Sequence, residues 1–178
     1  MRGLVRAMII GNVMPTSVPE YREATVADLA AICILGQEVN TLHHQAWPDV
    51  FASAGSPDRD RDHWLQSIAK NNATTFVAEV SGKLVGFVTV SVLDETHSLM
   101  QPCRYGRVGS IGVAVQHRGK GIGPQLMGSA EGWARERGAY EMRLNVWAFN
   151  EGAMRMYEEL GYEVRSHFLG KRLVEKGA

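Results

Sequence analysis

The most constraining feature of this sequence is a glycine-rich turn between a strand-like segment and a helix-like segment. Residues 105–115 are rich in β-forming side chains, the glycines of residues 119–123 follow, and apolar residues then recur at helical spacing to about residue 137. Glycine lets the backbone take positive φ and approach a ligand closely. Amides at a helix start converge on an anion, which the helix dipole also favours. With Arg118 and Lys120 beside it, the turn is predicted to bind a phosphate or pyrophosphate.

Two common phosphate-binding patterns do not fit this turn. A P-loop requires Ser or Thr after its lysine, but Lys120 is followed by Gly121. A dinucleotide fingerprint requires a third glycine, but Pro124 and Leu126 stand at the two positions where it would end. A plain strand-to-helix turn that happens to be rich in glycine is the alternative to an anion site.

The other elements alternate between strands and helices. Thr25, followed three residues later by Asp28, is typical of a capped helix start. Strands are predicted at residues 18–24, 74–80, 84–92, 105–115, 141–146 and 162–169, with helices after Thr25, over 58–70, from 123 to 137 and over 151–160. This order predicts an α/β fold, a single domain with a mixed, mostly antiparallel central sheet flanked by helices.

Composition limits the class of protein. The 178 residues include 19 basic and 19 acidic side chains, so no net charge attracts nucleic acid or a membrane surface. No apolar run reaches the ~18 residues of a membrane span, and two cysteines are too few for a disulfide framework. We therefore expect a cytoplasmic protein with no nucleic-acid or membrane partner. Residues 1–17 are predicted to be a flexible extension, 18–173 the domain and 174–178 a tail.

The turn resembles a known signature. The segment Arg118-Gly119-Lys120-Gly121-Ile122-Gly123 matches the [QR]-x-x-G-x-[GA] signature of the GNAT superfamily of N-acetyltransferases. The resemblance implies that acetyl-CoA is the co-substrate and that the amides of this segment hold its pyrophosphate. It also implies that the backbone of Ile111 and Val113 meets the pantetheine arm and the acetyl group. The element order from Val18 to about Leu173 is similar to the GNAT fold as well.

A second segment carries the same resemblance. Residues 150–162 resemble the family's N-x-x-A-x-x-x-Y-x-x-x-G-[FY] pattern, and on a helix Asn150, Ala153 and Tyr157 share one face. The resemblance implies that Asn150 contacts the pantetheine arm and that Tyr157 is the general acid for the departing CoA thiolate. Asn150 is equally suited to cap the helix, and Tyr157 to pack in the core.

The general base does not follow from the resemblance. Some relatives carry a glutamate base where this sequence has Asn145, which cannot accept a proton. Glu79, Asp94, His97 and Tyr105 lie on or near the predicted central strands and are alternatives, as is a water relay.

The irregular stretch 40–57 is the best candidate for acceptor specificity, because loops on a rigid scaffold commonly carry it. Its neighbouring histidines, His43 and His44, are poorly spaced for a metal, and no metal site is predicted. These histidines are expected in the acceptor-side loop, where they contact substrate. Trp47, Phe51 and Trp64 either line an acceptor pocket or pack in the core.

The sequence therefore predicts an acetyl-CoA-dependent N-acetyltransferase in which a primary amine attacks the thioester directly. The acceptor is a small amine, an antibiotic-like polyamine, or an amine of a protein or peptide, and the resemblance allows a homodimer. A catalytically silent acyl-CoA-binding regulatory module is the alternative, and a binder of another phosphate ligand is a third interpretation.

Overall fold

The computed structural model describes residues 18–68 and 70–173, so the predicted extension at 1–17 and tail at 174–178 lie outside it. Strands are β1 (Glu20–Glu23), β2 (Ala73–Val80), β3 (Lys83–Asp94), β4 (Arg104–Val113) and β5 (Glu141–Arg143), and α-helices are α1 (Leu29–Ala46), α2 (Arg61–Ile68), α3 (Ile122–Glu136) and α4 (Glu151–Glu159). Within the described residues, no helix has the length and apolarity needed to cross a bilayer.

The five strands form one sheet in sequence order. The first three pairings are antiparallel, and β5 pairs with β4 in parallel. Helices cover both faces, which confirms the predicted α/β fold with a mostly antiparallel sheet. On one face α3 buries Leu126, Ala130 and Trp133 against the sheet. On the other face, α1 and α2 bury a second cluster that includes Ile32 and Trp64.

Two predicted boundaries were wrong around the first helix and the fifth strand. The stretch 40–57 was expected to be irregular, but α1 continues to Ala46 and places both His43 and His44 in its last turn. The helix ends directly before Trp47-Pro48, because a residue before proline is disfavoured in the helical region. The fifth strand ends at Arg143, where residues 144–150 leave the sheet.

The strand predicted at residues 162–169 is absent. Residues 163–173 form no regular element and are exposed, including the apolar side chains of Val164, Phe168 and Leu169. Their β-forming composition is not sufficient, since a strand needs a partner edge. The outer edge of the sheet on this side is β5, which is only three residues long.

Gly36 in α1 is required by the packing of the second face. A Cβ there would lie 2.6 Å from Cζ2 of the Trp64 ring, which is 4% exposed. We expect Gly36→Ala to lower the free energy of unfolding by about 1–3 kcal/mol through overpacking. The control is Gly128→Ala in α3, where a Cβ meets nothing within 4 Å and helix propensity should add up to ~1 kcal/mol. Urea unfolding should show a lower free energy of unfolding for Gly36→Ala and a higher one for Gly128→Ala. Equal changes in the two variants would contradict the overpacking explanation.

A charged cap holds the single 3-10 turn Val26–Asp28, which leads directly into α1 at Leu29. Arg22 donates to both carboxylate oxygens of Asp28 at 2.8 and 2.9 Å, and the Thr25 amide donates to the same carboxylate at 2.8 Å. This confirms the predicted pairing of Thr25 with Asp28. The Arg22 guanidinium lowers the pKa of Asp28 from 3.8 to about 2.

The Asp28 interaction predicts an acid-dependent stability. Because its pKa is lower in the folded state, its stabilisation is fully present above pH 3.8 and is lost as pH falls toward 2. Arg22 is partly exposed, so we expect Asp28→Asn to cost about 1–2 kcal/mol at pH 6 and almost nothing near pH 2. Denaturant unfolding at both pH values checks this against Glu159→Gln, an exposed carboxylate on α4. A cost for Asp28→Asn that persists at pH 2 would contradict the electrostatic explanation.

Candidate functional site

The candidate site begins where β4 and β5 diverge. The two strands pair only from Tyr105 opposite Glu141 to Arg107 opposite Arg143. Beyond this point β4 continues to Val113, whereas residues 144–150 have no regular structure. Within the described residues, the far half of β4 therefore has a strand neighbour on its β3 side alone. A free strand edge offers amides and carbonyls to an extended ligand.

The backbone of Ile111 and Val113 faces this free edge. The Ala114 amide donates to Val85 O on the β3 side at 2.8 Å. Successive backbone amides along a strand alternate between its two neighbours, so those of residues 113 and 111 point away from β3. The two residues whose backbone the resemblance predicts to meet the pantetheine arm and the acetyl group thus direct their amides toward the opening.

A bulge precedes these residues. Val88 pairs with Ile111, but Val90 pairs with Val108, so two residues of β4 lie opposite Thr89 alone. The Ser110 amide donates to the Thr89 hydroxyl at 2.9 Å, which satisfies one amide that the bulge displaces from the ladder. Bulges bend a strand and change where its groups point, and this one lies next to the free edge of β4.

The glycine turn closes the end of the free edge. Gly119 and Gly121 have φ of +70° and +78°, and a Cβ at either would meet nothing within 4 Å. Glycine is required here by conformation rather than by crowding. Arg118 is fixed beside β4, because its Nε donates to Val113 O at 2.9 Å.

The turn leads into α3, and the first amides of this helix have no hydrogen-bond acceptor within the helix. The first amides of a helix have no acceptor within it, and here they belong to Ile122 and Gly123. The third helical residue, Pro124, has no N–H to leave unpaired. Ile122 is 2% exposed and packs in the core, so its side chain is not available to a ligand. With exposed Lys120 alongside, this turn has the donors and charge that a pyrophosphate requires.

Helix α4 and its N-cap supply two further residues of the candidate site, Asn150 and Tyr157. Asn150 caps it, because its Oδ1 accepts from the Ala153 amide at 3.2 Å, and this leaves the side-chain NH2 of Asn150 as a donor for a ligand. Tyr157 lies on the same face and is 7% exposed. Burial raises the pKa of Tyr157 above its usual value of 10, which keeps the phenol protonated as a general acid must be.

On the α1 face, five rings form one cluster, called here the aromatic cluster. Its members are half-buried or exposed and meet edge to face, with centroid distances between 4.7 and 6.0 Å; they are His43, Trp47, Phe51, Trp147 and Phe149. The cluster joins the end of α1 and the following loop to residues 144–150. One of its members, Phe149, directly precedes Asn150 in the chain.

The loop after α1 is anchored to that helix. Asp60 accepts from Gln37 at 2.9 Å and from Asn40 at 2.8 Å, and Gln37 Oε1 accepts from the Gly55 amide at 2.9 Å. The Arg59 guanidinium, with help from these amides, lowers the pKa of Asp60 to about 2. These bonds hold residues 47–60 against α1 and fix Trp47 and Phe51 beside the site.

The four residues predicted as alternatives for a general base lie away from the free edge of β4. Glu79 accepts from Arg22 at the β1 side of the sheet, and Asp94 accepts from Arg104 at 2.8 Å at the end of β3. Tyr105 stacks under Arg143, 4.0 Å from its guanidinium carbon, where β4 and β5 still pair. His97 lies in the loop after β3 and accepts from the Leu99 amide. None of the four lies along the free edge of β4.

Sequence reasoning missed two members of the aromatic cluster. Trp147 and Phe149 lie in the segment that leaves the sheet, just beyond the residues predicted as a strand. The signal in the sequence was that both aromatic residues lie within three positions of Asn150, a predicted site residue. Trp64, by contrast, packs against Phe87 with ring centroids 5.1 Å apart and belongs to the core rather than to a pocket.

Comparison with known proteins places the chain among relatives. Streptothricin acetyltransferase of Streptomyces lavendulae is 39% identical over 92 residues, which is 51% of this chain and 45% of that protein. The chain spans less than half the length of three curated relatives that it matches.

Solved structures share the fold. A variant of the BH1408 protein from Bacillus halodurans superposes with a TM-score of 0.81 at 21% identity, over 87% of this chain and 99% of that one. The aminoglycoside acetyltransferase AAC(6')-Iy, in complex with the bisubstrate analogue CoA-S-monomethyl-acetylneamine, gives 0.67 at 21% identity over 88% and 99%. The model of the acetyltransferase (GNAT) family matches residues 37–162. The chain therefore belongs to the GNAT family of acetyltransferases.

Proposed function

We propose that the protein transfers the acetyl group of acetyl-CoA to a primary amine by direct attack on the thioester. One observation carries this proposal: the free edge of β4 runs into a glycine turn that opens α3. An extended arm ending in a pyrophosphate fits such an arrangement, because strand amides bind the arm and helix-start amides bind the phosphates.

In the proposed complex, residues 118–123 hold the pyrophosphate and the amides of Ile111 and Val113 hold the arm and the acetyl carbonyl. Asn150 donates its side-chain NH2 to the arm while its Oδ1 keeps the helix cap. A carbonyl that accepts from a fixed amide is polarised toward attack, and the amide is already oriented for the negative charge of the tetrahedral intermediate.

Tyr157 is the proposed acid. When the carbon–sulfur bond breaks, the thiolate takes the phenolic proton, and the raised pKa of Tyr157 keeps that proton in place before the step. The amine approaches from the α1 side, where the aromatic cluster lies. We assign this chemistry to residues 18–173 as one domain.

Calorimetric titration with acetyl-CoA tests the binding half of the proposal. Saturable one-site binding is expected, and it should be competed by CoA. No binding at millimolar acetyl-CoA, by protein shown to be folded, would refute the proposed function.

Release of the CoA thiol in the presence of amines tests the catalytic half. Turnover with at least one primary amine is expected, and mass spectrometry should find the acetyl group on nitrogen. Tight acetyl-CoA binding with no turnover across small amines and peptide amines would favour the silent regulatory module instead.

A further inference from the structure

The aromatic cluster contains one ring that can accept a proton. His43 lies in the last turn of α1, and its Nδ1 is 2.8 Å from Val39 O. A carbonyl oxygen only accepts hydrogen bonds, so Nδ1 carries the hydrogen in this contact. In the neutral imidazole, Nε2 is then unprotonated. The hydrogen bond thus fixes the tautomer in which Nε2 is the basic nitrogen.

His43 lies on the side of the opening from which an acceptor would approach. Val39, one helical turn earlier, reaches β4, since a Cβ at Gly112 would be 2.9 Å from Val39 Cγ2. The His43 ring lies 5.3 Å from the Phe149 ring, and Phe149 directly precedes Asn150. His43 therefore bridges the helix that contacts the free half of β4 and the segment that leaves the sheet.

The other rings indicate the chemistry of the acceptor. Trp47 is 39% exposed, and the remaining rings are half-buried, so the cluster presents flat apolar surface next to His43. The carboxylate of Asp49 binds Arg172, and that of Asp60 binds Arg59, Gln37 and Asn40. The exposed surface of the cluster is aromatic, and the carboxylates of Asp49 and Asp60 already bind other side chains. This combination favours an amine attached to a flat apolar group over a polyamine.

We infer that the aromatic cluster is the acceptor site, that it takes a primary amine joined through an alkyl chain to an aromatic ring, and that His43 Nε2 is the general base. This inference rests on the proposed function. His43 takes one proton from the ammonium, and the freed nitrogen lone pair attacks the thioester carbon. The carbon–sulfur bond breaks, the thiolate takes the Tyr157 proton, and the adduct nitrogen gives up its second proton to restore Tyr157. The products are the amide and CoA thiol, and His43 returns its proton to solvent.

A pair of nearly isosteric acceptors tests this assignment. Phenethylamine is protonated near neutral pH, whereas O-benzylhydroxylamine, with oxygen in place of one methylene, is not. The wild-type protein should acetylate both and should prefer phenethylamine to spermidine. His43→Gln should lower kcat for phenethylamine by about 10²–10³-fold, while kcat for O-benzylhydroxylamine should fall by less than about fivefold, since no ammonium proton must be removed. An equal loss with both acceptors would mean that His43 only packs or positions.

The control is His63→Gln, which changes an exposed helical histidine whose ring also meets a neighbour edge to face. It should leave the kcat for both acceptors unchanged.

If His43→Gln does not fold, His43→Ala with added imidazole replaces it, and rescue of phenethylamine turnover is expected. No rescue, or no wild-type turnover of either phenethylamine or O-benzylhydroxylamine, would overturn the acceptor-site inference. Calorimetry with acetyl-CoA on the same proteins separates that result from failure of the proposed function.

Discussion

Tyr157→Phe should lower kcat by about 10²–10³-fold while the Kd for acetyl-CoA stays within about twofold of wild type. The substitution removes only the hydroxyl, so the ring keeps its packing in the core beneath α4. The departing thiolate then has no positioned proton donor, and general acid catalysis of this kind contributes about 10²–10⁴-fold. Thiol-release kinetics at saturating amine measure kcat, and calorimetry measures Kd.

Tyr162→Phe is the matched control, since the two tyrosine rings lie 5.7 Å apart. The Tyr162 hydroxyl donates to Glu131 at 2.9 Å, and burial with this carboxylate raises its pKa strongly. Its loss should cost about 1–2 kcal/mol of stability and leave kcat nearly unchanged. If the two variants lose the same fraction of kcat, the Tyr157 hydroxyl has a structural role rather than an acidic one.

The local parts of the site could be predicted because their signals are local. Glycine permits the positive φ that Gly119 and Gly121 adopt, and the cap was one of the two roles expected of Asn150 from its place before an amphipathic segment. The capping pair of Thr25 and Asp28 was predictable for the same reason. Each of these features depends on residues within four positions of each other.

The features that depend on pairing partners could not be predicted. The composition of residues 162–169 favours a strand, but the three-residue β5 offers too short an edge for it. The divergence of β4 and β5 is equally non-local, because it depends on where residues 144–150 leave the sheet. No periodicity in either segment encodes that point.

The proposed acceptor site was predictable only as a region. Residues 40–57 were identified, but the extension of α1 to Ala46 turns His43 into a helical residue with a fixed tautomer. Trp147 and Phe149 join it from about a hundred residues away in sequence. A contact between rings so distant in the chain is set by the whole fold, and one sequence does not show it.

Gly121→Ala should weaken acetyl-CoA binding by about 100-fold or more. Gly121 is the N-cap of α3 and has a φ of +78°, a conformation that costs a residue with a Cβ about 1–2 kcal/mol. Relaxing that strain turns the amides of the turn away from the pyrophosphate. Loss of two charge-assisted hydrogen bonds costs about 3–6 kcal/mol, and each 1.4 kcal/mol is tenfold in Kd.

Gly138→Ala separates this binding effect from simple backbone strain. Gly138 follows α3 with a φ of +79°, and a Cβ there makes only an ordinary 3.8 Å contact with Arg104. Both variants should therefore lose similar stability in urea, but only Gly121→Ala should lose acetyl-CoA affinity. S-acetylpantetheine lacks the pyrophosphate, so Gly121→Ala and wild type should bind it equally. A penalty that persists with S-acetylpantetheine would show that the turn does not act through the phosphates, because this probe carries no phosphate.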